Sequence, residues 1–171
     1  MTQALAQTVP RVQEAIDPMV LRQALGEFPT GVTVVTTVDP DGQPTGMTAS
    51  SFNSLSLSPP LVLWSIDKGT GCFEAFNHCE HFAIHTLTTE QQSLSNLFAK
   101  RGVDKFSQLK YSEGTAGTPL LEEFCARFEC QIEHRYDGGD HVILVGRVLQ
   151  LDQQQGHEPL VFHRGRYAQI G

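Results

Sequence analysis

Cations are scarce in this chain. Its 171 residues carry 12 Lys and Arg against 19 Asp and Glu, a formal net charge of -7. A nucleic-acid-binding surface needs a concentrated cationic face that displaces counterions from phosphates, so nucleic acid is not an expected partner. Long apolar runs are missing as well, and no stretch is long enough to span a bilayer. The first twenty residues, MTQALAQTVPRVQEAIDPMV, interleave polar and charged residues with apolar ones and so lack the uninterrupted core of a secretion signal. A cytoplasmic protein with no membrane association is the expectation. Cysteine is limited to Cys72, Cys79, Cys125 and Cys130, without Cys-x-x-Cys spacing, which fits free thiols in a reducing compartment. There is no Gly-x-Gly-x-x-Gly turn and hence no dinucleotide fingerprint of the Rossmann type. Nor is there a nucleophile elbow or a Ser-His-Asp order, so hydrolase chemistry has no support.

What is present suits one domain. Residues 1–16 have no sustained period and read as a flexible arm; residues 17–171 read as a single folded unit. Asp17 is placed to cap a helix with Pro18 in its first turn, and Val20, Leu21, Ala24, Leu25 and Phe28 recur at helical spacing until Pro29 and Gly31 stop it. Residues 31–38 read as a strand, Asp39-Pro40-Asp41-Gly42 as a turn and residues 43–49 as the return strand. The run Leu61–Ile66 reads as a buried strand, residues 73–78 as a short helix and residues 82–87 as another strand. Thr89 followed by Gln92 predicts a capping box for a helix through Lys100. The polar, Gly-rich stretch 101–119 is long enough to be a functional loop over a site. A long hairpin over 124–136 and 141–152, turning at Asp137-Gly138-Gly139-Asp140, precedes a last strand over 159–170. Six or so strands in consecutive hairpins, with helices that do not alternate with them, exclude a doubly wound parallel sheet. They predict a mainly β protein, a closed or nearly closed antiparallel barrel with a few peripheral α-helices.

The most unusual stretch runs from Thr45 to Pro60, where Gly, Ala, Ser and Thr crowd the end of a strand. Small side chains there leave backbone N–H groups open to a flat ligand rich in acceptors, as a flavin is. The same composition also fits a solvated Ser/Thr loop. His78-Cys79-Glu80-His81 with His85 offers nitrogen and sulfur ligands, but residues 82–87 read as strand rather than helix, and no metal site is expected.

Four spaced motifs carry a resemblance: Phe28-Pro29-Thr30-Gly31-Val32, Gly46-Met47-Thr48-Ala49-Ser50-Ser51-Phe52, Ser56-Leu57-Ser58-Pro59-Pro60-Leu61-Val62, and Gly139-Asp140-His141 with Gly146-Arg147-Val148. In this order the chain, from about Met19 to Tyr167, resembles the short-chain flavin reductases that serve two-component flavin monooxygenases. The resemblance implies a split antiparallel β-barrel, FMN-binding in type, that forms a homodimer, binds FMN or FAD and oxidises NADH or NADPH. It implies a flavin-dependent monooxygenase as partner, reached by diffusible reduced flavin. Thr30 and Gly31 would border the flavin ring; Thr48, Ala49, Ser50 and Ser51 would meet its polar edge, and Phe52 would line the pocket. Lys105-Phe106 matches the family's basic-aromatic pair, with Lys105 toward the flavin phosphate. Ser65 opens a segment usually crowded with hydroxyl residues; here Asp67-Lys68-Gly69-Thr70-Gly71-Cys72 follows, leaving Thr70 for that phosphate contact. His141 matches the family's histidine near the nicotinamide and would orient that ring. In Phe162-His163-Arg164-Gly165-Arg166-Tyr167, Arg166 and Tyr167 would meet the nicotinamide or adenylate, or else mark an edge strand whose charges deter pairing. Two rivals remain at this stage: a flavin- or haem-binding split barrel without nicotinamide turnover, and a dimeric interaction domain with a vestigial pocket.

Overall fold

The computed structural model describes residues 15–170, so the first fourteen residues of the expected N-terminal arm lie outside the described ones. In chain order the elements are α1 (Pro18–Leu25), β1 (Thr30–Gly31), β2 (Thr33–Val38), β3 (Pro44–Ala49), β4 (Asn53–Leu57), β5 (Pro60–Asp67), α2 (Phe73–His78), β6 (His81–Thr86), α3 (Gln92–Ala99), β7 (Tyr111–Glu113), β8 (Pro119–Leu121), β9 (Ala126–Gly138), β10 (His141–Gln153), β11 (Val161–His163) and β12 (Arg166–Ala168).

Seven strands form one antiparallel sheet in the order β3-β2-β6-β9-β10-β5-β4. Its two edges, β3 and β4, are consecutive segments of the chain joined by the bend Ser50–Phe52. Ser51 stands opposite Ser65, two positions beyond the pair Asn53–Leu63 when the β4–β5 register is continued. Its hydroxyl donates to the Ser65 carbonyl (2.9 Å) and accepts from the Ser65 N–H (3.0 Å). This side chain ties the bend to β5, and β3 approaches β5 from the other edge, so the sheet curls into the expected split barrel.

Alternation along β5 sets the inside. Val62, Trp64 and Ile66 are buried while Leu61, Leu63, Ser65 and Asp67 are only partly so. Trp64 packs edge-on against Phe76 (centroids 5.0 Å) within a cluster that includes Val35, Phe82, Ile84 and Leu144. A second cluster, Val32, Val34, Leu87, Phe98, Phe106, Leu121 and Leu160, fills the space between the outer wall and α3. With core on both faces, β2 (TVVTTV) is a continuous β-branched run that buries its first five residues. His85 is fully buried in β6, with Nδ1 donating to the Val34 carbonyl (3.1 Å) and Nε2 accepting from the Leu121 N–H (3.1 Å). Burial pushes this imidazole down to about 3, so it is neutral and fully engaged. On β10 a bulge falls at Val145–Gly146, and a Cβ on Gly146 would overlap the Phe82 ring and lie 2.9 Å from Cβ of Cys130.

Several sequence expectations need correction. The capping box is formed by Thr88 and Gln91, one residue earlier than Thr89 and Gln92, because a 3-10 turn over Thr89–Gln91 precedes α3. The Gln91 side-chain oxygen accepts the Thr88 N–H at 2.9 Å. The stretch 101–119 is not all loop, since β7 and a 3-10 turn over Thr115–Gly117 lie within it. The last strand is a hairpin of β11 and β12, reversed at Arg164 and Gly165, whose φ values are 50° and 77°. α1 begins as expected, with Asp17 accepting the Met19 N–H at 2.7 Å and Pro18 in the first turn, yet none of its residues is buried. All four cysteines are free, and no described helix is long and apolar enough to cross a membrane.

Candidate functional site

The bend that joins the two sheet edges leaves its own amides unspent. The backbone N–H groups of Ser50, Ser51 and Phe52 donate to no described residue, since neither the β2–β3 nor the β4–β5 ladder extends over them. The side chains around them are committed instead. Thr48 donates its hydroxyl to the Ser95 carbonyl in α3 at 2.6 Å. Ala49 is buried, its carbonyl accepting the Thr33 hydroxyl at 2.8 Å, and the Phe52 ring lies against Phe128 with centroids 5.6 Å apart. Ser50 is exposed, and the Ser51 hydroxyl is held by Ser65. The donors this bend can offer a ligand are therefore chiefly main-chain ones.

Two clefts flank Thr48 and Ser50. One, about 780 Å³, lies between α1 and the β11–β12 hairpin and is lined by Thr30, Ser50, Phe162 and Arg164 among others. Thr30 and Gly31 pair with Phe162 and Val161, and a Cβ on Gly31 would meet nothing within 4 Å, so the surface beside it is open. The other cleft, about 540 Å³, is lined by Gly46, Thr48, Thr70, Cys72, Lys105 and Phe106 with part of the 98–106 segment. The segment after α3 thus does overlie a cleft. Lys105 donates to the carbonyls of Gly46 (2.9 Å) and Phe98 (2.8 Å), which leaves one of its three ammonium hydrogens. Burial lowers its pKa, opposed by the nearby Cys72. Phe106 packs edge-on against Phe98 and Tyr111 at 5.3 and 5.4 Å, so it belongs to the second core cluster and walls the cleft from there. Thr70 sits in a turn in which its N–H donates to the Asp67 carbonyl at 3.0 Å.

His141 opens β10 opposite Asp67, and Ile143 stands opposite Ser65. Leu144 pairs with the inward Trp64 and Val142 with Ile66, so His141 and Ile143 share the outer face with Ser65. With strands about 4.8 Å apart and a rise of about 3.4 Å per residue, the Cα of His141 lies roughly 12 Å from that of Ser51. The hydroxyl-rich bend and the imidazole thus fall on one face of the sheet, and His141 lines neither cleft. His141 Nδ1 is 2.7 Å from Asp140 Oδ1, which assigns the proton to Nδ1 and leaves Nε2 outward. That hydrogen bond also holds the Asp140 carboxyl below the usual carboxylate range.

Tyr167 reaches α3, behind Thr48, from the C-terminal hairpin and lines neither cleft. Its hydroxyl lies 2.9 Å from Ser95 Oγ and 2.8 Å from Asn96 Oδ1, and its ring packs edge-on against Phe162. Arg166 is exposed at the head of β12, opposite His163, and lines neither cleft. Ser95 and Asn96, which gather Thr48 and Tyr167, carry no motif that singles them out. Among the described residues no group of three His, Cys, Asp or Glu side chains is placed to hold a metal ion, and both nitrogens of His85 are engaged by backbone.

Residues 25–171 match the family described as flavin reductase like domain. The chain is 42% identical over 157 residues to a reductase subunit of a flavin-dependent monooxygenase from Rhodococcus jostii, covering 92% of this chain and 80% of that protein. It is 45% identical over 149 residues to an FMN reductase (NADH) from Agrobacterium fabrum, covering 87% of this chain and 84% of that one. Among solved structures it superposes on an NADH:FAD oxidoreductase from Streptomyces globisporus, in complex with NAD and FAD fragments. The TM-score is 0.85 at 37% identity, over 93% of this chain and 98% of that one.

Proposed function

Because this chain belongs to the flavin reductase-like family, we propose that the Ser50–Phe52 bend receives a flavin, FMN or FAD, and that His141 faces the nicotinamide of NADH or NADPH. The activity is flavin reduction, with the reduced flavin passed by diffusion to a flavin-dependent monooxygenase. The observation that carries this reading is the run of three unbonded main-chain N–H groups at the bend, beside the open surface at Gly31.

The residues present fit such a group. Unpaired N–H donors suit the acceptor-rich edge of a flavin ring, Thr30 and Gly31 leave room for a flat body, and Phe52 supplies an apolar wall. In the smaller cleft Thr70 and the remaining ammonium hydrogen of Lys105 suit a phosphate. A bound flavin would supply the electron acceptor, able to accept from a reduced nicotinamide one hydride, a proton together with two electrons. The chain's own part is to orient. Fixed amides hold one ring and Nε2 of His141 meets the amide of the other, so that proximity supplies most of the acceleration. No side chain needs to act as an obligatory acid or base. Tyr167, fixed on α3, supports the wall behind Thr48.

The working unit is a homodimer in this reading. α1 turns Met19, Val20, Leu21 and Leu25 to solvent, and Phe28 follows at 71% exposure, an apolar surface that a second copy would cover. The free thiols support a cytoplasmic setting. The test is NADH absorbance with and without added FMN: loss should depend on FMN, and a flavin- or haem-binding barrel without turnover would give none.

A further inference from the structure

Lys68 falls where the family pattern places hydroxyl residues, yet it lines neither cleft. Its ammonium group instead crosses to the β9–β10 turn, where it meets the Asp137 carboxylate and donates to the Gly139 carbonyl at 2.6 Å. Its backbone N–H donates to the Asp140 carbonyl at 3.0 Å. Asp140 in turn holds Nδ1 of His141. One residue therefore touches three of the four residues that precede His141. The turn it holds is intrinsically pliable: Gly138 and Gly139 have no side chains to pack, and Gly139 adopts φ 80°, a conformation that few other residues tolerate. The anchor is firm. Lys68 directly follows Asp67, the cross-strand partner of His141, and Asp67 accepts the Gly69 N–H at 2.6 Å.

We infer that Lys68 is a positioning residue for His141, fixing the Gly-Gly-Asp turn so that the imidazole meets the nicotinamide. This rests on the reading of His141 given above. The ion pair is exposed, with Lys68 at 39% and Asp137 at 77%, so it contributes little to global stability. Its effect is local, on where one imidazole stands.

The experiment is steady-state turnover of Lys68→Met, Lys68→Arg, His141→Ala and the Lys68→Met/His141→Ala double variant, with flavin binding and thermal unfolding alongside. Lys68→Met should raise KM for the nicotinamide about 5- to 10-fold, the scale of a small misplacement, while kcat and flavin affinity change by less than about twofold. Tm should stay within about 2 °C of the parent. Lys68→Arg should restore KM, and the double variant should be no worse than His141→Ala alone. A nicotinamide KM within twofold of the parent in Lys68→Met overturns the inference, as does additivity in the double variant. A parallel loss of flavin affinity and Tm also overturns it, since a merely structural role predicts that. If His141→Ala leaves KM and kcat unchanged, the reading of His141 itself has failed, which is a distinct outcome.

Discussion

Lowering the pH from about 7 to about 5 should destabilise the fold through one residue, His85. An unfolded histidine titrates near 6.5, whereas burial holds this one at about 3. The fold prefers its neutral form, so the full stabilisation is present above pH 6.5 and is lost as the pH falls from there toward 3. At pH 5 the unfolded chain is protonated at this site by about 1.5 pH units and the folded chain is not, which costs about 2 kcal/mol. Toward pH 3 the limit is about 5 kcal/mol, but there the carboxylates held low by their partners, such as Glu133 by Arg147 and Asp137 by Lys68, lose stability as well. The window between pH 5 and 6.5 avoids most of that overlap. Urea unfolding followed by fluorescence of Trp64, the single and fully buried tryptophan, reports the change directly. The comparison is with His85→Asn, which keeps an N–H for the Val34 carbonyl and cannot titrate. Its stability should fall by about 2 kcal/mol less than that of the parent between pH 7 and pH 5. Equal losses in the two proteins, within about 0.5 kcal/mol, would refute the reasoning.

Other expectations follow from the bend, the bulge and the phosphate cleft. Ser51→Ala strips both hydrogen bonds from Ser65 and should lower stability by about 1–3 kcal/mol in denaturant unfolding, with flavin affinity reduced because the bend loses its brace. Gly146→Ala drives a methyl group into Phe82 and Cys130 and should cost about 1–3 kcal/mol; unchanged stability would mean that the bulge relaxes freely. Lys105→Met should weaken flavin binding about 10-fold or more, read by quenching of flavin fluorescence, and riboflavin, which lacks the phosphate, should lose far less.

The barrel was legible because its long strands repeat. The short apolar run of β5, bounded by turn residues, and the Gly-Gly-Asp reversal between β9 and β10 are local signals, and both elements stand close to where they read. Short elements carry no period: β1 has two residues and β7 three, too few to separate from loop. The capping box slipped by one residue because both Thr88 and Thr89 can cap and only the three-dimensional partner of Gln91 decides. Ser/Thr crowding marked the bend, and its small side chains read as leaving backbone N–H groups open; those of Ser50, Ser51 and Phe52 have no described acceptor, while the hydroxyls of Thr48 and Ser51 are committed to carbonyls. The cluster that braces Thr48 joins residues 47 and 72 positions apart, Thr48 with Ser95 and Ser95 with Tyr167, and no neighbouring pattern encodes it. The role drawn for Lys68 had no local signal either, since its partners lie some seventy residues downstream.

The account turns on one arrangement, a flavin against the bend and a nicotinamide beside His141 on the same face of the barrel. Amide NMR of the full chain titrated first with FMN and then with NAD+ observes both places in one sample. Addition of FMN should move the amide signals of Ser50, Ser51 and Phe52 most, and NAD+ should then move those of Asp140 and His141. If FMN leaves the three bend amides in place and shifts a separate surface, the arrangement is contradicted.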